Sequence, residues 1–379
     1  MPVVPVVGPV DLAGSLDVFR RSGDDLLDRW DGRVWLRALA VDGRMVGVAA
    51  RPGGTVAAPA LEVEAEAGAD AAAAGRALAG AFVTAPEALA TLAATDPVVA
   101  RIAARFPGVG PVLQPDLLTA VVRSISAQQI TLRFAAVLRG RLARRYGHRH
   151  EVQAGAPAGA VDTRGHPTPE SATLPRRGTE PGTGSLPAAP TATAAPGDPP
   201  AATAASGDPP RPGDSSSAEV WSLDPHRLAR AQVGDLRELQ FSTSKATAVI
   251  AFAGAVAAGE LDLAELAGLE DEAVTERLTA FPGIGRWTAE WLLARTLGRP
   301  RVVAGDLGVR KAVGAAYLDG RMPSEAEVRA ATAHWGAAAG VAQQLLLHWL
   351  SLEAPGRGGP RRAPTSRTAT RPGRSSRPG

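Results

Sequence analysis

The sequence predicts a small α+β domain followed by an all-helical core. Period-two alternation is confined to the first 85 or so residues, apolar residues fall at helical spacing from Pro86 onward, and no stretch reads as a buried parallel strand. At 379 residues the chain is long enough for two or three domains of ordinary size.

Taken in order, residues 10–85 hold the alternating segments. VWLRALAVDGRMVGVAARPGG carries turn signals at Asp42-Gly43 and Gly53-Gly54. LEVEAEA puts Leu61, Val63 and Ala65 on one face and Glu62, Glu64 and Glu66 on the other. The alanine-rich DAAAAGRALAGAFV reads as a helix for that sheet to pack on. Residues 86–147 begin the helical part, with two short helices divided at Asp96-Pro97. A longer run follows in which Leu117, Leu118, Val121, Val122 and Ile125 share a face. Residues 219–352 continue it, with helices expected around 225–232, 243–258, 271–280, 286–297 and 307–316, and a pair within 324–351.

Between these parts, residues 148–218 are dense in Pro, Gly, Ala, Ser and Thr. They include the repeated phrase GDPPAATAASGDPP and are expected to be a disordered insertion. Composition does not say whether that insertion separates two domains or interrupts one. Residues 353–379 form an arginine-rich tail, also expected to be disordered. Its seven arginines carry the basic excess: the formal charge is +3, and about −4 without them. Such a tail either matters little or adds a salt-sensitive attraction to a polyanion.

The chain has no cysteine, which excludes disulfides, cysteine-ligated zinc, an iron–sulfur cluster and a thiol nucleophile. No apolar run reaches the roughly 18 residues of a membrane span. The first residues, MPVVPVVGPVDL, lack the basic start of a signal peptide. The expectation is a cytoplasmic protein without membrane association.

The segment richest in chemistry is DEAVTERLTAFPGIGRWTAEWLLARTLG. A helix ends near Ala280, Phe281-Pro282-Gly283-Ile284-Gly285 turns tightly, and a second helix begins near Arg286. Glycines at both ends of Gly283-Ile284-Gly285 permit positive φ and close backbone approach. Peptide N–H groups exposed at such a turn suit a phosphate oxygen, although an ordinary αα-corner has the same look. Asp306, 21 residues beyond Gly285, directly precedes another amphipathic helix. Its ordinary role is to cap that helix, and the helix field also favours an ionised carboxylate suited to face developing positive charge. Trp287 and Trp291 lie four apart and share a face, while Trp349 belongs to the last helix; packing residues and pocket walls are both open to them.

Together, FPGIGRWTAEWLLARTLGRPRVVAGDLGVRKAV resembles the helix-hairpin-helix DNA glycosylase superfamily, and within it the bacterial DNA-3-methyladenine glycosylase II branch. PDLLTAVVRSISAQQITLRFAAVLRGRLARRYG and the closing tryptophan-bearing helix follow in the family's order, so the likeness covers about 12–147 and 219–352. It implies an α+β N-terminal domain followed by an all-α helix-hairpin-helix glycosylase core. It further implies that Asp306 is the catalytic acid and that Trp287, Trp291 and Trp349 wall the base pocket. Gly283, Ile284, Gly285 and Arg286 become the DNA-binding hairpin, and Gln128 and Gln129 the loop entering the minor groove, with Gln129 at the wedge position. The implied activity is the hydrolytic release of alkylated purines such as 3-methyladenine from double-stranded DNA, by a nucleoid-associated monomer. The reaction needs no metal or organic cofactor, although a monovalent cation can sit on the hairpin.

Strand-cutting members of the superfamily carry a lysine where this chain has Trp287, and indole cannot form a Schiff base. Only Lys245 and Lys311 are lysines. The implied chemistry is therefore monofunctional. The Trp-x-Pro-Trp-Arg run common to alkylation glycosylases is here Trp335-Gly336-Ala337-Ala338-Ala339-Gly340, without the second tryptophan and the arginine. Another damaged base on the same scaffold, or a DNA-binding protein without catalysis, are the competing readings.

Overall fold

The computed structural model describes residues 1–153 and 217–353, all within one unit of the chain. The disorder expected of the insertion and of the tail falls almost wholly outside them.

The N-terminal part comprises β1 (Val3–Pro5), α1 (Leu12–Ser22), β2 (Asp28–Trp30), β3 (Trp35–Val41), β4 (Arg44–Gly54), β5 (Pro59–Ala65) and α2 (Ala71–Ala79). The five strands form one antiparallel sheet in the order β1-β5-β4-β3-β2. Asp42 and Gly43 turn the β3–β4 hairpin at φ 49° and 76°, the left-handed pair that a two-residue hairpin requires. Alternation in β5 works as the sequence indicates: Leu61 and Val63 are fully buried against α2, and each contributes about 1.5–3 kcal/mol. Gly75 of α2 allows the helix to approach this face, since a Cβ there would stand 2.6 Å from Val4.

The helical part begins with α3 (Pro86–Thr95), α4 (Pro97–Arg105), α5 (Leu117–Ala127) and α6 (Leu132–Tyr146). Asp96 ends α3 and caps α4, accepting from the N–H groups of Val98 and Val99. Strands β6 (Gly147–Gln153) and β7 (Ser217–Leu223) then pair antiparallel, Gly147 with Leu223 through Gln153 with Ser217. The ends of the stretch read as insertion are thus ordered strand. Residues 154–216 leave from and return to one two-stranded ribbon, so the insertion interrupts a single body rather than joining two. His150 anchors the ribbon to the N-terminal sheet: Nδ1 meets Glu66 Oε2 and Nε2 meets Ser222 Oγ, both at 2.9 Å.

The remaining elements are α7 (Pro225–Ala229), α8 (Val233–Glu238), α9 (Thr243–Ala257), α10 (Leu263–Ala267), α11 (Asp271–Thr279), α12 (Arg286–Arg295), α13 (Leu307–Tyr317) and α14 (Glu325–Thr332). A 3₁₀ turn (Ala333–Ala338) leads into the last helix, α15 (Ala339–Glu353). Two apolar clusters fill this part. One is built mainly on α5, α6, α9, α11 and α12, and the other on α4, α13 and α15. No helix among the described residues is long and apolar enough to cross a membrane.

A buried charge network ties the sheet to the helices. Asp25 accepts from Arg123 of α5 and Arg139 of α6, and Asp28 from Arg37 and Arg123. Burial raises the Asp25 carboxyl, but the two arginines and a backbone N–H outweigh it and hold the group below its ordinary 3.8.

Candidate active site

The hairpin joins α11 to α12. Gly283 has φ 78°, and a Cβ on it would stand 2.6 Å from Ala248 Cβ on α9, so both its backbone and its bareness are required. Gly285 differs from the expectation. Its φ is −88°, and nothing lies within 4 Å of where a Cβ would project. The protein does not need glycine there, which leaves the open side of the turn for something from outside. Ile284 is buried and pins the turn. Among the described residues, the N–H groups of Gly285, Arg286 and Trp287 donate to no partner, so they point the N-terminal end of α12 at solvent. Arg286 is largely exposed and leans on Glu290 at 3.3 Å, a carboxylate also held by Arg329 at 2.9 and 3.1 Å.

α9 also supports the second segment that the sequence leads one to expect at DNA. Gln128 ends α5, and Gln129 is exposed with φ 61°. Lys245 donates through Nζ to the carbonyls of Ser126 (3.1 Å) and Gln128 (2.6 Å), and burial lowers its amine. Lys245 and Ala248 are one turn apart, so a single helix face sets the spacing between this loop and the hairpin.

Asp306 caps α13, its Oδ1 accepting from Val309 N at 2.9 Å. The approach to it is fixed by a buried side chain of α15: Gln343 Oε1 accepts the Val303 N–H at 2.7 Å. Two glycines flank the carboxylate. A Cβ on Gly305 would meet Trp287 Cδ1 and Glu325 Oε1, each at 3.0 Å, and one on Gly308 would meet Asp306 Oδ1 at 3.0 Å and Leu347 Cδ2 at 3.3 Å. Trp287 of α12 thus lies against Gly305, just before Asp306, and Leu347 of α15 against Gly308, just after it.

Trp291 follows Trp287 on the same face of α12, half-buried against the first apolar cluster. Trp349 packs against the second cluster, and it lies about 200° round α15 from Leu347. Among the described residues none of the three indoles pairs with another ring. Trp287 Nε1 is buried without a hydrogen-bond partner.

Lys245, Gln343 and Leu347 escape a reading of the sequence because their roles are tertiary contacts. Arg295 had a signal, since it continues the four-residue step of Trp287 and Trp291. Burial lowers its guanidinium to about 10, against the opposing attraction of Asp306. Trp335 is buried, and beyond it Ala338 and Ala339 are packed into the core. A cavity of about 140 Å³ lies at the other end of α12 among Thr84, Ala294, Gly298, Arg299 and Gly340, and Asp306 does not line it. No cluster of metal-ligating side chains is present among the described residues.

No protein-family model matches the chain. It is 38% identical over 96 residues, a quarter of its length, to YfjP of Bacillus subtilis strain 168, provisionally a DNA-3-methyladenine glycosylase. The stretches aligned cover 33% and 42% of the two curated relatives it matches, both from that organism. The solved 3-methyladenine DNA-glycosylase of Archaeoglobus fulgidus superposes with a TM-score of 0.65 at 22% identity, over 94% of this chain and all of that one. The chain shares the fold of that glycosylase. The same fold is seen at 14% identity and a TM-score of 0.56 in the 8-oxoguanine glycosylase/lyase of Clostridium acetobutylicum, over 91% of this chain and 93% of that one. Two structures named for different lesions thus share this fold, so the fold by itself names no substrate.

Proposed function

We propose that the protein is a monofunctional DNA glycosylase that everts a damaged base from double-stranded DNA and hydrolyses its N-glycosidic bond, with alkylated purines such as 3-methyladenine among its substrates. The observation that carries the reading is a hairpin whose N–H groups are free, with Trp287 following it and packing against Gly305, the residue before Asp306. A base inside a duplex reaches no pocket, so the nucleotide is first swung out at a cost of a few kcal/mol. The N–H groups of Gly285, Arg286 and Trp287 hold the backbone through a phosphate. Gln129, with Gln128 behind it, fills the vacated stack. The carbonyls of Pro282 and Gly283 accept no hydrogen bond among the described residues and are exposed, which fits a monovalent cation that would bridge to the DNA backbone.

A purine alkylated at a ring nitrogen carries positive charge, so an indole face attracts it by about 0.5–2 kcal/mol. That charge also makes the base a good leaving group. The C1′–N bond breaks with its electron pair going to the base, which leaves neutral. Asp306 stabilises the oxocarbenium-like sugar while water adds to C1′ and gives up a proton. Trp287 occupies the place of a Schiff-base lysine, and Lys245 is engaged at the Gln128 loop. The strand therefore stays intact.

The test is incubation with methylated duplex DNA. Release of 3-methyladenine, leaving alkali-labile sites in an uncut strand, is expected. No base release, or a covalent adduct trapped by borohydride, would overturn the reading.

A further inference from the structure

Glu290 lies one turn after Arg286 on α12, and its side chain is buried, 3% exposed. Two guanidiniums meet its carboxylate: Arg286 through Nε at 3.3 Å, and Arg329 of α14 through Nη2 at 2.9 and 3.1 Å. Both touch the same oxygen, Oε1, so the two cations stand side by side over one anion. Their own side chains are 72% and 43% exposed.

That arrangement differs from the buried charge network between the sheet and the helices. There the arginines on Asp25 and Asp28, which are Arg37, Arg123 and Arg139, are themselves buried. Arg286 and Arg329 are open to solvent. Arg286 uses only Nε on Glu290, and Arg329 only Nη2, so the other donors of each fork have no partner among the described residues. One positive charge is left over, and two like charges held this close repel until a second anion joins them from the open side. The acids at the start of α14 do not supply it: Glu325 lies against Gly305, and Glu327 accepts from Arg321 and Ser324. The N-terminal end of α12, with the free N–H groups of Gly285, Arg286 and Trp287, adds a positive field beside the pair.

On the glycosylase reading above, we propose that Arg286 and Arg329, braced by Glu290, form a second phosphate site that takes the DNA backbone next to the phosphate held by the hairpin. Open guanidinium forks match the two charged oxygens of a phosphodiester in charge-assisted hydrogen bonds. Glu290 touches no DNA and is a positioning residue that aims both forks. Two phosphates held at one end of α12 fix the direction of the strand, where a single phosphate leaves it free to pivot.

Removing Arg329 alone would leave Glu290 buried with one weak partner, so the test neutralises both in Glu290→Gln/Arg329→Gln, which keeps the net charge of the protein. Affinity for an abasic-site duplex is followed by fluorescence anisotropy across a salt series. The slope of log affinity against log salt is expected to shrink by about 0.9, the value of one phosphate contact. Over a fourfold rise in salt the variant should therefore lose about 3.5-fold less affinity than the wild-type protein. Arg329→Lys keeps a cation beside Glu290 and should keep the slope. In a second measurement, neutral methylphosphonate replaces the backbone phosphates near the abasic site one at a time. Two neighbouring positions should weaken binding by the wild-type protein, and the double variant should be indifferent to one of them. A parental salt slope in the folded double variant, or sensitivity of the wild-type protein at a single phosphate only, would leave Arg329 the counter-ion of Glu290. Either result overturns the proposal with the glycosylase reading still standing. A wild-type protein that does not bind the duplex would overturn both.

Discussion

Gly283 and Gly285 stand two residues apart yet are bare for different reasons, so alanine at each separates fold from function. At 283, φ is 78° and an added Cβ would lie 2.6 Å from Ala248 Cβ. The left-handed backbone penalises a non-glycine residue by about 1–2 kcal/mol. Overlap with α9 adds about 1–3 kcal/mol. Gly283→Ala is therefore expected to lose roughly 2–5 kcal/mol of unfolding free energy in urea denaturation. At 285, φ is −88° and the space is empty. Gly285→Ala restricts the unfolded chain and is expected to gain about 0.4–1 kcal/mol. Its methyl group projects where a phosphate would approach, so affinity for an abasic-site duplex, followed by fluorescence anisotropy, should fall about tenfold, or ~1.4 kcal/mol. Equal stability losses in the two variants, or parental DNA affinity in Gly285→Ala, would refute this division of roles.

Lys245→Met deletes both hydrogen bonds to the Gln128 loop and is expected to lose about 1–3 kcal/mol of stability. Base eversion, read by a fluorescent base analogue, should weaken with it, and parental eversion would show that Lys245 does not position the loop. Leucine in place of Trp287, Trp291 or Trp349 keeps apolar volume and deletes the π face, so excision of 3-methyladenine should fall more than abasic-duplex binding; parental excision by a folded variant would return that tryptophan to the core. The Asp25 carboxyl is held below 3.8, so its contribution is complete above the unfolded-state value and lost as pH falls through the folded one. Asp25→Asn should lower stability at pH 7 and flatten the decline below about pH 4 in denaturation curves taken across pH; an unchanged slope would remove Asp25 from the acid response.

Local chemistry made much of this molecule legible in its sequence. Asp42-Gly43, the alternation of LEVEAEA, Asp96-Pro97 and the Pro-Gly-x-Gly turn act through neighbours in the chain, and each element stands where its pattern indicated. The ribbon of β6 and β7 was hidden because its halves are separated by some sixty residues of low-complexity chain, and HRHEVQ has little apolar content. Strand β1 is three residues long and carries no period of its own. At the candidate site, motif and spacing single out Asp306 and Trp287, whose proposed roles await the tests above. Leu347, two residues from the tryptophan singled out on α15, approaches Asp306 only through the packing of that helix on α13. Lys245 and Gln343 act through hydrogen bonds to distant backbone groups, for which a sequence has no local sign.

The role of Asp306 is tested most directly by single-turnover excision of 3-methyladenine by Asp306→Asn, with abasic-duplex affinity and thermal stability measured on the same preparation. Asparagine caps helices as well as aspartate does, so the hydrogen bond to Val309 and the fold should persist. Excision is expected to fall by about 100-fold or more, the scale of a lost transition-state electrostatic group, with DNA affinity nearly unchanged. Excision at close to the parental rate by a folded, DNA-binding Asp306→Asn protein would leave Asp306 a helix cap and contradict the account.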